Sequence, residues 1–543
     1  MSAAQPGETG VAGGARLRAV ATLLALALLL PAALAFWGTA ASTSAARIAS
    51  MHTVEPYAFA VQEQLAYNFG LHGTWVQTIH AGYDDTWTWS GHRAITFVLA
   101  AGLYALRPDA LWLSELQILG MLLGVIPAAL IGRRALASPW GLLLGGLLYL
   151  LSPALMALAL QDYQDLCLAT PFLVFTLWSM RARQPLWALV GAAVGVMPRE
   201  ECVPLVLACA LVTLPPSWRG SRWRRYGLNV VLALAVAGTY AALAQLLFPI
   251  RAAPGPAAGH DTPLVNAVKT VLAARSMADL PGLPGLHSFY ALTWAPVGLL
   301  ALLSPLTALP GAGLLLMHMT VPDNNGVDRS WFGHAHHMAP ALAFLIVATI
   351  EGAARLLRGL AAPRLGRWRP SLGPLGPALA TVAGLGLGAY CLWWVQTWGD
   401  SFHLVWSWQA RRTDWEHPSW TLARRLPAQA VPVVSVRDAL AVADRSRSYT
   451  WEESLHDKGR GQGLGAATHL IAPRALGGIV AWGMAMPGAR IVDEADGYVT
   501  LTWDPGAQDT AGHQREERWP ELPEWLPPGT TTDRLPGVPP RRR

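Results

Sequence analysis

A chain of 543 residues, 53% of them hydrophobic and only 14% charged, is not a soluble globular protein but a membrane protein. The formal charge of +6 does not mark a nucleic-acid binder, because the arginines cluster beside apolar runs, where they set topology. Cys167, Cys202, Cys209 and Cys391 lie in or at the edge of apolar segments, without CxxC or Cys/His spacing, and read as packing residues.

Residues 1–16 form a small polar N-terminus placed in the cytoplasm, with Arg16 and Arg18 preceding the apolar run Ala19 to Trp37. That run is either a signal peptide, since Pro31-Ala-Ala-Leu-Ala35 offers small residues for cleavage, or an uncleaved first helix, the reading favoured here. Both put the following residues outside. Residues 41–108 are then the first outer loop, and within it Thr53 to Arg93 carries Glu55, Glu63, His80, Asp84, Asp85, His92 and Arg93 among many aromatic rings. Carboxylates beside basic and aromatic groups at the mouth of a bundle suit chemistry on a lipid-linked polar substrate, whose reacting bond lies at the interface.

Asp109 to Gly132 is long enough to span and ends in Arg133-Arg134, a return to the cytoplasm. Pro139 to Leu160 goes out, Gln161-Asp162-Tyr163-Gln164-Asp165 turns outside, and Leu166 to Met180 comes back to Arg181 and Arg183. Pro185 to Pro216 is apolar apart from Pro198-Arg199-Glu200-Glu201 at its midpoint, and basic clusters flank both ends. It reads as a hairpin of two short helices, each reaching roughly 20 Å, whose charged tip comes close to the outer surface. Ionisable groups at that depth are costly and face a bundle interior or a wet cavity, so the tip is a functional candidate, against a locally paired Arg–Glu turn.

Tyr226 to Phe248 leads out to a Pro/Gly-rich loop with an amphipathic piece around Pro263 to Ala278. His287 to His318, broken by Pro305 and Pro310, forms a second hairpin, and the loop Thr320 to His337 carries Asp323, Asp328, Arg329, His334, His336 and His337. The His-Ala-His-His run invites a divalent metal, but histidines without fixed secondary structure are a weak signal. No cofactor is expected. Ala339 to Ile350 goes in to Arg355, Arg358, Arg364, Arg367 and Arg369, and Leu375 to Trp394 comes out.

The expected fold is mainly α. Residues 17–395 form a polytopic bundle of about 11 membrane segments with the arginine clusters all on one side. Residues 396–505 form a small extracytoplasmic α/β domain: Val431 to Ser435 and Thr468 to Ala472 as buried strands, Arg474 to Trp482 as a helix. Ala489 to Asp493 and Tyr498 to Trp503 make a hairpin turning at Asp496-Gly497. Residues 506–543, rich in Pro and charge, are expected to be a disordered tail. The protein is placed in the inner (plasma) membrane, with its C-terminal domain outside.

The order of these features resembles a large family of predicted bacterial membrane proteins whose architecture is similar to the GT-C class of polyprenyl-phosphate-sugar glycosyltransferases. The residues that carry it are Glu55, Gln62-Glu63-Gln64 and Asn68, then Gly91-His92-Arg93 and Tyr104 to Pro108. Further on come Leu151-Ser-Pro153, Gln161-Asp162-Tyr163, Arg199-Glu200-Glu201, Leu303-Ser-Pro305 and His336-His337. This chain departs from the family pattern with Glu55 for Asp, Arg199 for Lys, and Gln164 for a His, the last of which loses a titratable group.

The resemblance implies sugar transfer from a polyprenyl-phosphate donor to an acceptor outside the membrane. Glu55 is the first choice of general base, with Asp84 and Asp85 behind it. Substrate-binding candidates are His92, Arg93, Asp162, Arg199, Glu200, His334, His336 and His337, whose cations would stabilise a departing phosphate. Trp75, Trp87 and Trp89 suit stacking on sugar faces, although Trp is enriched at membrane interfaces in any case. The implied partners are a lipid-linked sugar donor and the bilayer. Two other readings stay open: a transporter or flippase with a midplane site built on the broken hairpins, and a non-catalytic envelope assembly factor.

Overall fold

The computed structural model describes residues 8–51, 56–76, 78–79, 94–182, 184–214, 221–247, 298–320, 335–361, 416–435, 438–445, 447–451 and 467–503. They divide into two compact units, each discontinuous in sequence. The first takes Met1–Ser44, His92–Phe97 and Ser114–Arg411; the second takes Ala45–Gly91, Val98–Leu113 and Arg412–Arg543.

The first unit is helical. Among the described residues four helical stretches are long and apolar enough to cross a membrane: Arg16–Ala49, Ala110–Leu136, Tyr226–Leu243 and Ala339–Gly359. Trp140–Leu150, Pro185–Val196 and Pro305–Leu315 are shorter apolar helices, as is Ile95–Tyr104, which from Val98 on falls in the second unit. The expected count of about 11 full spans is therefore met only in part, for two reasons. The segment expected at 375–394 lies outside the described residues, and several expected spans are broken. Pro139 to Leu160 is interrupted at Ser152, which is extended before Pro153 because a residue preceding proline is pushed out of the helical region. The two hairpins resolve into short helices, α9 (Pro185–Val196) with α10 (Val203–Val212), and Gly298–Ala301 with α13 (Pro305–Thr320).

Packing in this unit follows membrane rules, with small residues where backbones meet. Helices α5 (Val125–Leu136) and α6 (Trp140–Leu150) close on each other at Gly132, Gly141 and Gly145, where an added Cβ would strike facing backbone. Helix α14 (Ala339–Ala361) is the most buried of the long ones, and packs against α5, α6, α13 and α8 (Ala169–Arg181). Helix α1 (Glu8–Ala49) by contrast leaves Leu17, Val20, Leu24, Leu28 and Leu34 exposed, as a lipid-facing helix does.

The second unit holds a five-stranded mixed sheet in the order β2-β1-β3-β5-β4. Strand β1 (Pro432–Val434) pairs in parallel with β2 (Tyr449–Thr450) and β3 (His469–Pro473); β5 (Tyr498–Thr502) lies antiparallel to β3 and to β4 (Arg490–Ala495). The turn at Asp496-Gly497 has positive φ at both residues, the geometry that Asp-Gly favours in a hairpin. Val433, Leu470, Ala472, Leu501, Ile479, Trp482 and Trp503 form its core. The expected helix appears one turn later, at Gly477–Met484, and two elements were not anticipated, the short β2 and the helix Pro418–Arg425.

Helix α2 (Pro56–His72) belongs to this second unit and packs on the turn Ala439–Val442, more than 360 residues away in sequence. Gly73, at φ 67°, stops the helix and donates its N–H to Phe69 O at 3.0 Å, the left-handed C-terminal cap that glycine adopts without a Cβ clash.

Candidate functional site

In the first unit, polar groups gather where helices are broken. Helix α7 (Pro153–Ala159) ends before the segment Gln161–Gln164, and a 3-10 turn, Asp165–Leu168, leads into α8. The backbone groups freed by this break are taken up by Gln117, fully buried on the preceding long helix. Its amide donates to Leu158 O at 3.1 Å and Gln161 O at 3.2 Å, and its carbonyl accepts Gln164 N–H at 2.7 Å. One side chain thus replaces the ladder that the break removed, which a nonpolar environment demands.

Beside this turn is an ion pair. Arg199 Nε and Nη2 donate to the two carboxylate oxygens of Asp165 at 3.1 and 2.5 Å, a fork-to-fork geometry, with both side chains about 95% buried. Arg199 is extended, just before the turn Glu200–Cys202, so the tip Pro198 to Glu201 is drawn to the tip Asp162 to Asp165. Thr96 N–H donates to Met197 O at 3.1 Å, fixing the same tip from a third segment. The turn Ala335–Met338, which carries His336 and His337, packs on the Asp165 turn, and Thr170 Oγ1 donates to Ala339 O at 2.7 Å. Tyr163 Oη is buried there without a hydrogen-bond partner among the described residues, and its ring lies 6.2 Å from that of Phe97.

The opposite end of α8 is arginine-rich. Arg181 Nη2 pairs with Glu351 at 2.8 Å and reaches Thr307 at 3.3 Å, while Ser304 and Thr307 donate to the other oxygen of Glu351. Arg134 donates to Arg181 O and Arg355 to Leu303 O. About 20 Å of helix separates this end from the Asp165 turn.

The second unit holds a different polar cluster. Gln64 on α2, fully buried, accepts from Thr78 N–H at 2.7 Å and Ile79 N–H at 3.2 Å, and donates to Arg445 O and Ser448 Oγ. Thr78 Oγ1 donates to Ser448 O at 2.8 Å. The loop is thereby stitched to the domain edge beside β2. One residue earlier, Glu63 is buried too: Tyr104 Oη donates to its Oε1 at 2.9 Å, and Oε2 has no partner among the described residues. Burial first, then the charge of Asp444, push the Glu63 carboxyl well above the ordinary range, with the Tyr104 hydrogen bond pulling the other way.

Of the residues expected from sequence, Asp162, Arg199, Glu200 and the turn bearing His336 and His337 are brought to one end of the first unit. Glu55, Asp84, Asp85, His92, Arg93 and His334 lie outside the described residues, as do His80, Trp87 and Trp89. Trp75 stacks on Phe69, with ring centroids 3.8 Å apart. Arg199 was expected to pair locally, if at all, with a glutamate; its partner is Asp165. Asp165 and Gln117 were missed as site residues, although the polar density of residues 161–165 inside an apolar stretch was the signal. Among the described residues no group of three or more His, Cys, Asp or Glu side chains is placed to hold a metal.

Long apolar helices that close on one another through small residues define an integral membrane protein. The chain belongs to the family described as "Predicted membrane protein (DUF2079)", whose model matches residues 50–370. No curated protein matches it in sequence. Among solved structures it is similar to the oligosaccharyltransferase of Archaeoglobus fulgidus in its apo form, at 11% identity, over 85% of this chain and 71% of that one, with a TM-score of 0.40. The same enzyme in complex with zinc and sulfate matches at 11% identity over 83% and 69%, with a TM-score of 0.38. Likeness at this level says nothing about function, which has to be read from this chain's own residues.

Proposed function

We propose that the protein is a membrane glycosyltransferase that moves a sugar from a polyprenyl-phosphate donor to an acceptor hydroxyl outside the membrane. The observation that carries the reading is the buried Asp165–Arg199 pair, which locks together two helix-breaking tips with a third, histidine-bearing turn packed against them. Charges buried in an apolar bundle are retained for a purpose. Here they gather at helix ends away from the arginine-rich end, as an interfacial reaction needs, rather than at mid-depth with access to both sides, as a transporter needs.

In this reading Asp165 neutralises Arg199, so the pair positions the tips and supplies little net charge. Asp162, Glu200 and His337 bind the polar part of the substrate, with His336, His334, His92 and Arg93 completing the set. Glu55, with Asp84 and Asp85 behind it, removes the acceptor proton. The acceptor oxygen then bonds to the anomeric carbon, the bond from that carbon to phosphate oxygen breaks, and polyprenyl phosphate leaves with the electron pair while nearby cations stabilise it.

The test is to incubate the purified protein with a panel of polyprenyl-phosphate sugars and candidate acceptors and to follow release of polyprenyl phosphate. Glu55→Gln should lower turnover by about 10²–10⁴-fold, as loss of a general base does, with donor binding retained. Wild-type turnover in that variant would remove Glu55 from the chemistry. Donor movement across vesicles without sugar transfer would replace the enzyme with a transporter.

A further inference from the structure

At the arginine-rich end of the first unit, a cavity of about 540 Å³ opens between α1 and the α5–α6 turn. Arg18 and Thr22 of α1 line one side, and Leu130, Arg133, Arg134 and Ser138 line the other. The turn is held in place by Ala137, left-handed at φ 54°, and by the glycine contact that closes α5 on α6. Three guanidinium groups from segments more than 110 residues apart therefore face one concave space, and Arg18 and Arg133 have no carboxylate partner among the described residues. Arg134 gives one N–H to Arg181 O, which fixes the side chain and leaves the rest of its fork uncommitted.

The three arginines are solvent-exposed, and a concave surface lined by charge of one sign focuses the field and draws a counter-ion to it. Arginine forks with neighbouring hydroxyls match a phosphate group. The source of that phosphate is indicated by the rim: Leu17, Val20 and Leu24 are exposed along α1 on the stripe next to Arg18 and Thr22, an apolar track for acyl chains. The positive-inside rule puts this end at the cytoplasmic leaflet, where anionic lipids are held by basic pockets between helices.

We propose that this cavity is a binding site for the phosphate headgroup of an anionic phospholipid, separate from the polar tips at the other end of α8. Arg18 and Arg133 grip the phosphate, Arg134 buttresses them from its contact with α8, and α1 is thereby stapled to the α5–α6 hairpin.

Purified full-length protein in neutral detergent, titrated with phosphatidylglycerol, phosphatidylcholine or inorganic phosphate, tests this by native mass spectrometry and thermal melting. Phosphatidylglycerol should bind saturably and raise the melting temperature, while phosphatidylcholine should do neither. Arg18→Gln and Arg133→Gln should each weaken phosphatidylglycerol binding by about fivefold, roughly the worth of one basic residue at an anionic surface. Arg16→Gln, on the same helix but outside the cavity lining, should bind as the wild type does. The proposal is overturned by any of three results: equal loss in Arg16→Gln, which would mean diffuse attraction; unchanged binding in the Arg18→Gln/Arg133→Gln double variant; or inorganic phosphate protecting as well as the lipid, which would assign the cavity to a soluble anion. Melting of each variant without lipid separates a folding defect from a binding one.

Discussion

The two units each bury a carboxylate, and they do so by different physics. Asp165 is met by the bidentate fork of Arg199 on a tip 34 residues away, so its desolvation is offset by a matched charge. Glu63 has no cation partner among the described residues; burial and then the charge of Asp444 push it toward the neutral form, against the hydrogen bond from Tyr104. The comparison teaches what each carboxyl is suited to do. A compensated pair fixes geometry, whereas an uncompensated buried carboxyl holds or releases a proton as its surroundings change.

The strongest way to break the comparison is to remove one half of the pair. Arg199→Met leaves Asp165 buried and unpaired, and should cost about 3–5 kcal/mol, seen as poor yield or a depressed melting temperature in detergent. Arg199→Met with Asp165→Leu should recover most of that loss, because two buried charges go together. If the single and double variants melt alike, the pair is not what locks the tips.

A smaller effect is expected at Gln64. Replacing it with Leu keeps the volume but leaves the N–H groups of Thr78 and Ile79 without their acceptor. Losing that acceptor should cost about 2–3 kcal/mol and expose the 445–451 edge to limited proteolysis of the full chain. Unchanged protection would mean that the loop is held by other contacts.

The third test sharpens the Glu63 half. A carboxyl with a raised folded pKa binds its proton more tightly in the native state, so its contribution is fully present below the unfolded value and is lost as pH rises toward the folded one. Wild-type stability should therefore fall with pH above about 4.5, with a limiting slope of about 1.4 kcal/mol per pH unit from this group. Glu63→Gln should flatten that part of the profile. An identical slope in wild type and variant would show that Glu63 is already ionised.

Much of the first unit was legible in the sequence. Apolar runs flanked by arginines on one side gave α1, Ala110–Leu136 and the start of α14, because length and charge together mark a spanning segment. The break at the 198–201 tip was legible too, since a charged run interrupts the apolar stretch there and proline cannot donate, whereas Pro139 to Leu160 was expected as one span and its break at Ser152-Pro153 was not anticipated. Strands β1, β3 and the β4–β5 hairpin followed from short apolar runs and the Asp-Gly turn. The two-residue β2 did not, because so short a strand carries no periodicity and exists only through its partner β1.

Local chemistry in the sequence thus determined the membrane class, the long helices, the polar tips and the hairpin of the small sheet, all of which depend on neighbouring residues. Which tip meets which was decided only in three dimensions. Arg199 has Glu200 and Glu201 beside it in sequence, yet its fork closes on Asp165, because an extended backbone at the tip aims the guanidinium across the bundle rather than along the chain. Gln64 likewise has nothing in its own loop to mark it as the stitch to Arg445 and Ser448. A buried polar group must find a partner at any sequence distance, and packing chooses that partner.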